Sequence, residues 1–255
     1  MSKKIKKVVW GLWMLGVALI LFPILKMGIL VEKTASTNWT YDTTIIPYSD
    51  ETEAALAPPD LTDIIKMEGT VPYAGVLNIP GIQLTLPISF AFTEKNLLVS
   101  AVSLFPERDV KTSNTVLMGH HLSEKDVLFG KLNRVKVGDP LLLTLNNQTY
   151  HYLVETVQVI KETDMTWLEP TEESALTLVT CDQPTYTDQR LVVRGTLKKE
   201  ENAMEQWQST VPKIVRQSTI IRKKIVKYRL VFIVGLAFIS IISWQLFKNE
   251  SVKTP

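Results

Sequence analysis

The chain has 255 residues, a formal net charge of +2, one cysteine and three histidines. That length suits one good-sized domain plus additions. One cysteine excludes an internal disulfide, the small charge argues against nucleic-acid binding, and the few Cys and His residues lack metal-ligand spacing, so neither a metal nor a cofactor is expected.

Residues 1–7 form a basic tail with Lys3, Lys4, Lys6 and Lys7. Val8–Leu25 is apolar, contains Trp10, Trp13 and Pro23, and carries no charge. Lys26 can snorkel, so a membrane anchor over residues 8–31 is expected, and crossing a bilayer takes about 20 apolar residues. The preceding lysines place the N-terminus in the cytoplasm by the positive-inside rule. A cleaved signal peptide is the rival reading, although the run is long for one and no clear small-x-small site follows.

Residues 32–70 carry Glu32, Asp42, Asp50, Glu51, Glu53, Asp60, Asp63 and Glu68 against Lys33 and Lys66. They show little periodicity apart from a short helix at Asp60–Met67, and they read as an acidic extracellular spacer. From Val71 the pattern becomes strand-like. Val76–Pro80 and Ile82–Ile88 alternate around a turn at Pro80-Gly81. Glu94–Leu104 has helical spacing, with Leu97, Leu98, Ala101 and Leu104 on one face and Pro106 beyond it. Thr115–Gly119 reads as a buried strand. Asp126–Val135 reads as a helix with Val127, Leu128 and Leu132 inward. Gly138-Asp139-Pro140 turns into Leu141–Leu145, Asn146-Asn147 signals a hairpin, and Thr149–Ile160 follows as a long strand. Thr177–Thr180 and Leu191–Leu197 complete a mostly β set, which predicts a closed or partly closed β-barrel with short helices over residues 71–198.

Residues 199–229 read as a basic helical linker, with Lys213, Arg216, Arg222, Lys223, Lys224, Lys227 and Arg229 and no acid in 213–229. Leu230–Phe247 is a second apolar run with Trp244 near its end, expected as a second transmembrane helix before the tail at 248–255. Its basic approach lies on the side that should be outside, against the usual charge bias. The economical topology keeps both termini in the cytoplasm and the middle domain outside. A basic amphipathic helix lying on the surface is the alternative.

Three reactive groups sit at the ends of apolar strands. Cys181 closes Thr177–Cys181, His120 closes Thr115–His120, and Arg190 opens Arg190–Leu197. A lone cysteine with a histidine elsewhere is a candidate nucleophile and base. Arg190 offers fixed donors for an oxyanion or for a substrate backbone. Arg194 falls on the same strand face and competes with it. His121 should point away from His120 by alternation, and His151 reads as structural or exposed. Glu107, Asp109 and Glu124 read as solvated loop acids rather than a calcium site. No carboxylate stands out as a third triad member.

In this order, these residues resemble the sortases. Thr177–Cys181 matches the family's T-L-x-T-C nucleophile motif, Gly119-His120 its G-H, and Arg190 with the apolar residues after it its arginine. Val127–Leu132 with Gly138-Asp139 resembles the class A enzymes, and Asn78–Ile82 and Leu86–Ile88 fit the start of the domain. The resemblance covers roughly 71–198. A C-terminal span is more usual in the pilin-polymerising class C, but their Asp-Pro-aromatic lid motif is missing from the spacer.

The resemblance implies a Gram-positive, extracellular, membrane-anchored cysteine transpeptidase. It would cleave an LPxTG-like sorting signal of surface proteins between Thr and Gly and pass the protein to an amine of a lipid-linked peptidoglycan precursor. It also implies that only a fraction of the enzyme carries thiolate and imidazolium together. A pilin polymerase using a pilin lysine and a non-catalytic wall-associated scaffold are the alternatives.

Overall fold

The computed structural model describes residues 3–48, 61–66, 69–122, 127–202, 223–243 and 245. They belong to two units, Met1–Glu32 with Ile220–Pro255 and Lys33–Thr219. Helix α1 (Lys3–Ser36) contains Pro23. Leu12, Leu19, Ile20 and Phe22 along it are exposed. An apolar helix without a hydrophilic face suits lipid better than water, and Lys7–Lys33 is long and apolar enough to cross a membrane.

Strand β1 (Asn38–Tyr41) pairs in parallel with β2 (Thr70–Tyr73), and α2 (Leu61–Lys66) lies between them in sequence. The expected short helix is therefore present, but the spacer is not all spacer. Trp39 and Tyr41 stack edge-on against Tyr73. Ile46 exchanges backbone hydrogen bonds with Phe90 and Phe92. Tyr48 meets the Phe92 ring at 5.1 Å. Aromatic and backbone contacts outweigh the acidic composition that suggested a loose linker. Residues 49–60 and 67–68 of the expected spacer lie outside the described residues.

The strands that follow are β3 (Gly75–Ile79), β4 (Leu84–Ser89), β5 (Ala101–Ser103), β6 (Asn114–Met118), β7 (Pro140–Leu145), β8 (Gln148–Lys161), β9 (Ala175–Cys181) and β10 (Gln189–Asn202). They close a barrel in the order β10-β8-β7-β3-β4-β5-β6-β9, with β9 pairing back to β10. Pairing is antiparallel except for β4 with β5 and β6 with β9. The β7–β8 hairpin turns through Asn146 and Asn147 at φ 48° and 61°, the left-handed pair that a two-residue hairpin of this twist requires.

Leu77, Leu117, Leu143, Leu176, Leu178 and Val193 are fully buried in the barrel strands. A second cluster covers an adjoining face, where Val116, Val179 and Val192 pack with Phe92, Leu97, Val102 and Leu104. β9 is consequently buried on both sides as far as Thr180, and its burial relaxes only at Cys181.

Three expected helices are shorter or absent. In 94–104 only α3 (Glu94–Leu97) is helical, because Ala101 and Val102 pair with Ile88 and Ser89 of β4 instead. Buried Asn96 fixes the bend by donating to Ala91 O at 2.7 Å. In the next segment Asp126 lies outside the described residues. From Val127 on there is one 3-10 turn, Leu132–Arg134, although Val127, Leu128 and Leu132 are buried as expected. β10 runs on through Asn202, since β8 offers partners as far as Gln148. Of the remaining linker, residues 203–222 lie outside the described residues. Helix α4 (Lys223–Ser243) carries the second stretch long and apolar enough to span a membrane. Trp244 and Phe247, assigned to the same span, lie outside the described residues.

Candidate active site

Strand register brings the three predicted groups together. Arg190 lies opposite Cys181, Val192 opposite Val179, and Arg194 opposite Thr177. On the other side of β9, Val116 lies opposite Thr177 and Met118 opposite Val179. Side chains two apart share a face. His120, two residues beyond Met118, is therefore delivered to the face that carries Cys181 and Arg190. All three line one small cavity of about 30 Å³, together with Leu97, Met118 and Thr180.

Each of the three is held differently. The His120 strand end is tied to β9 by Gly119 N donating to Val179 O at 3.2 Å and Thr180 Oγ1 donating to Gly119 O at 2.7 Å. A Cβ on Gly119 would stand 2.9 Å from the Phe129 ring, so the approach requires glycine. His120 itself is 8% exposed, and burial pushes its imidazole down to about 4. Burial pushes the half-buried Cys181 thiol above its ordinary value, the Arg190 guanidinium pulls it back, and the Asp182 and Glu162 carboxylates push it further up. At neutral pH thiol and imidazole are both uncharged. Arg190 donates from Nη1 to Thr187 O at 2.9 Å and Gln189 O at 3.0 Å, and from Nη2 to Glu162 Oε2 at 2.6 Å.

A groove of about 640 Å³ leads to Cys181 and Arg190. Its walls include Tyr48, Phe105, Ile160, Trp167, Tyr186 and Val192. A mostly apolar cleft with a few polar groups, here Glu162, Asp164, Thr187 and Arg190, is the usual form of a ligand-binding site.

Arg194 competes less well than its strand face suggested. Its Nε donates to Thr177 Oγ1 at 2.9 Å and its Nη2 to Trp167 O at 2.6 Å. The guanidinium lies 4.5 Å from the Trp167 ring centroid, so Arg194 braces the groove wall. His121 does point away from the small cavity, but its Nδ1–H donates to the carbonyl of Cys181 at 2.8 Å, a bond alternation does not reveal. His151 sits on β8 between Leu142 and Lys199. Glu162 is the residue that sequence reasoning missed. It falls just past β8, and only the pairing of β8 with β10 carries it to Arg190. Glu124 of the loop acids lies outside the described residues. Among the described residues no three His, Cys, Asp or Glu gather into a metal site.

Comparison with known proteins gives one consistent family. A model described as a sortase domain matches residues 77–198. Sortase A of Listeria monocytogenes is 29% identical over 206 residues, 76% of this chain and 92% of that protein. Sortase A of Bacillus anthracis is 31% identical over 156 residues, 61% of this chain and 70% of that protein. The crystal structure of the Listeria monocytogenes enzyme superposes with a TM-score of 0.51 at 31% identity, covering 52% of this chain and 92% of that one.

Proposed function

The chain belongs to the sortase family of transpeptidases, most like class A, and we propose that it is a membrane-anchored cysteine transpeptidase acting outside the cell. Its substrate is an LPxTG-like sorting signal of a surface protein, cut between Thr and Gly. The observation that carries this reading is the convergence of Cys181, His120 and Arg190 on one small cavity beside an apolar groove.

The chemistry follows from the groups. Cys181 Sγ attacks the threonine carbonyl carbon while His120 takes the thiol proton. The developing oxyanion lies within reach of the cationic Arg190, and a lost donor of this kind costs on the order of 3 kcal/mol. His120 returns the proton to the departing glycine nitrogen, which leaves a thioester on Cys181. An amine of a cell-wall precursor attacks that thioester, gives its proton to His120 and releases the thiol. Because thiol and imidazole both rest uncharged, only a small fraction of the enzyme holds the reactive ion pair at any moment. A lysine of a pilin subunit is the other acceptor to test, because the second apolar helix at Lys223–Ser243 is a feature more usual among the pilin-polymerising members of the family.

The test uses the full chain in detergent, an LPxTG peptide, and either an oligoglycine amine or a pilin-type lysine peptide. Intact-mass measurement should find an acyl adduct on Cys181 that the amine discharges. Cys181→Ala should show neither adduct nor turnover, since no other thiol exists in the chain. A reduced wild-type enzyme that cleaves no sorting peptide would overturn the reading.

A further inference from the structure

We propose that Glu162 is the positioning residue of Arg190, holding the guanidinium so that its unspent N–H groups face the groove beside Cys181. This rests on the transpeptidase reading for its purpose, though not for its test. Arginine has five N–H donors. Two of them go to the carbonyls of Thr187 and Gln189 and one to Glu162 Oε2. The Nε–H and one Nη2–H find no partner among the described residues, which leaves a donor pair for substrate oxygens.

Glu162 is itself well placed to act as an anchor. Its backbone N–H donates to Asp188 O at 2.8 Å, so the end of β8 is pinned to the connection that leads into Arg190. The carboxylate and the guanidinium are both partly shielded, at 38% and 21% side-chain exposure. Both residues line the groove. An arginine without an anchor spreads over many rotamers, and a planar fork aimed by one carboxylate loses that freedom before substrate arrives. An ordinary surface ion pair would contribute little and would aim nothing.

Charge alone and positioning predict opposite signs at the thiol. Arg190 lowers the Cys181 pKa more than Glu162 raises it, and Asp182 also raises it. If Glu162→Ala releases Arg190, the thiol loses its larger, stabilising partner and its pKa rises. If Glu162 acts only as a negative charge, its removal lowers that pKa. Cys181 is the only thiol, so the pH profile of iodoacetamide alkylation on the full chain reads it directly.

The expected result is a raised alkylation pKa in Glu162→Ala and partial recovery in Glu162→Gln, which keeps an acceptor for the guanidinium. In an Arg190→Ala background the sign should reverse, because only the charge effect remains. With peptide substrate, kcat/KM should fall about tenfold, the scale of one charge-assisted hydrogen bond. An unchanged or lowered pKa in Glu162→Ala overturns the proposal. So does an equal rise in Glu155→Gln, whose exposed carboxylate pairs with Lys198 on the same pair of strands. The alkylation arm needs no peptide, so failure of the transpeptidase reading would appear separately, as wild-type enzyme without turnover.

Discussion

His120 shows most plainly how one side chain's environment sets its chemistry. It titrates near 6.5 in an unfolded chain and at about 4 in the fold, because burial disfavours the imidazolium. Linkage fixes the sign. Above about pH 6.5 both states hold a neutral ring and His120 imposes no pH dependence. As pH falls the unfolded chain takes up the proton first, so folding is penalised, and the penalty levels off below pH 4 at up to about 3 kcal/mol. We expect the thermal midpoint of the wild type to drop more steeply between pH 7 and 4.5 than that of His120→Gln. Identical pH slopes would mean that the ring is solvated. In catalysis the same replacement should cost at least about a hundredfold in kcat, the lower end for general acid–base work. If His121→Gln were the more damaging change, the adjacent ring that grips Cys181 O would be the proton carrier instead.

At the scale of elements, the site is a meeting of three strand ends, and the closeness of that meeting depends on Gly119. Any Cβ there meets a Phe129 ring that is itself fully buried. Gly119→Ala should therefore cost about 1–3 kcal/mol through forced displacement. It should lower kcat more than KM, because the strand end that carries His120 moves and the groove walls do not. Steady-state kinetics alongside a melting curve checks this, and a kcat loss without any change in melting would contradict the steric account.

The strand ends at His120, Cys181 and Arg190 were legible in the sequence, as were the Asn146-Asn147 hairpin and the buried positions of Val127, Leu128 and Leu132. What escaped depends on pairing across strands. Glu162 meets Arg190, and Arg194 settles on Trp167, only because β8, β9 and β10 adopt one register. Glu94–Leu104 misled for a related reason. Its apolar spacing fits a helix, yet a vacant parallel position beside β4 takes Ala101 and Val102 into the barrel.

At the scale of the whole molecule, the contacts between the two terminal helices bear on the topology we propose. Trp10 Nε1 donates to Ser243 Oγ at 3.3 Å, Leu21 lies against Gly235, and Gly28 lies against Tyr228. Arg229 pairs with Glu32. As one number rises the other falls, so α1 and α4 run antiparallel, and small residues let them approach closely. The ion pair neutralises Arg229, one member of the basic cluster that argues against an outer location. If both helices span, as we propose, an antiparallel pair brings Lys3 of α1 and Ser243 of α4 to one side, and the N-terminal lysines are the reason to propose that this side is the cytoplasm. A Cβ on Gly28 would lie 3.3 Å from Tyr228 Cβ, close to the roughly 3.5–4.5 Å of a disulfide. In a Cys181→Ala background, Gly28→Cys with Tyr228→Cys should therefore cross-link in native membranes on mild oxidation, seen as a mobility shift that reductant reverses. Gly28→Cys with Leu230→Cys, two residues further and on another face of α4, should cross-link far more slowly. Equal yields from the two pairs would leave no specific helix contact. The antiparallel packing would then be lost as support for two spans, whereas cross-linking of the first pair alone would favour the double tether we propose, which would raise the effective concentration of the enzyme toward a lipid-linked acceptor.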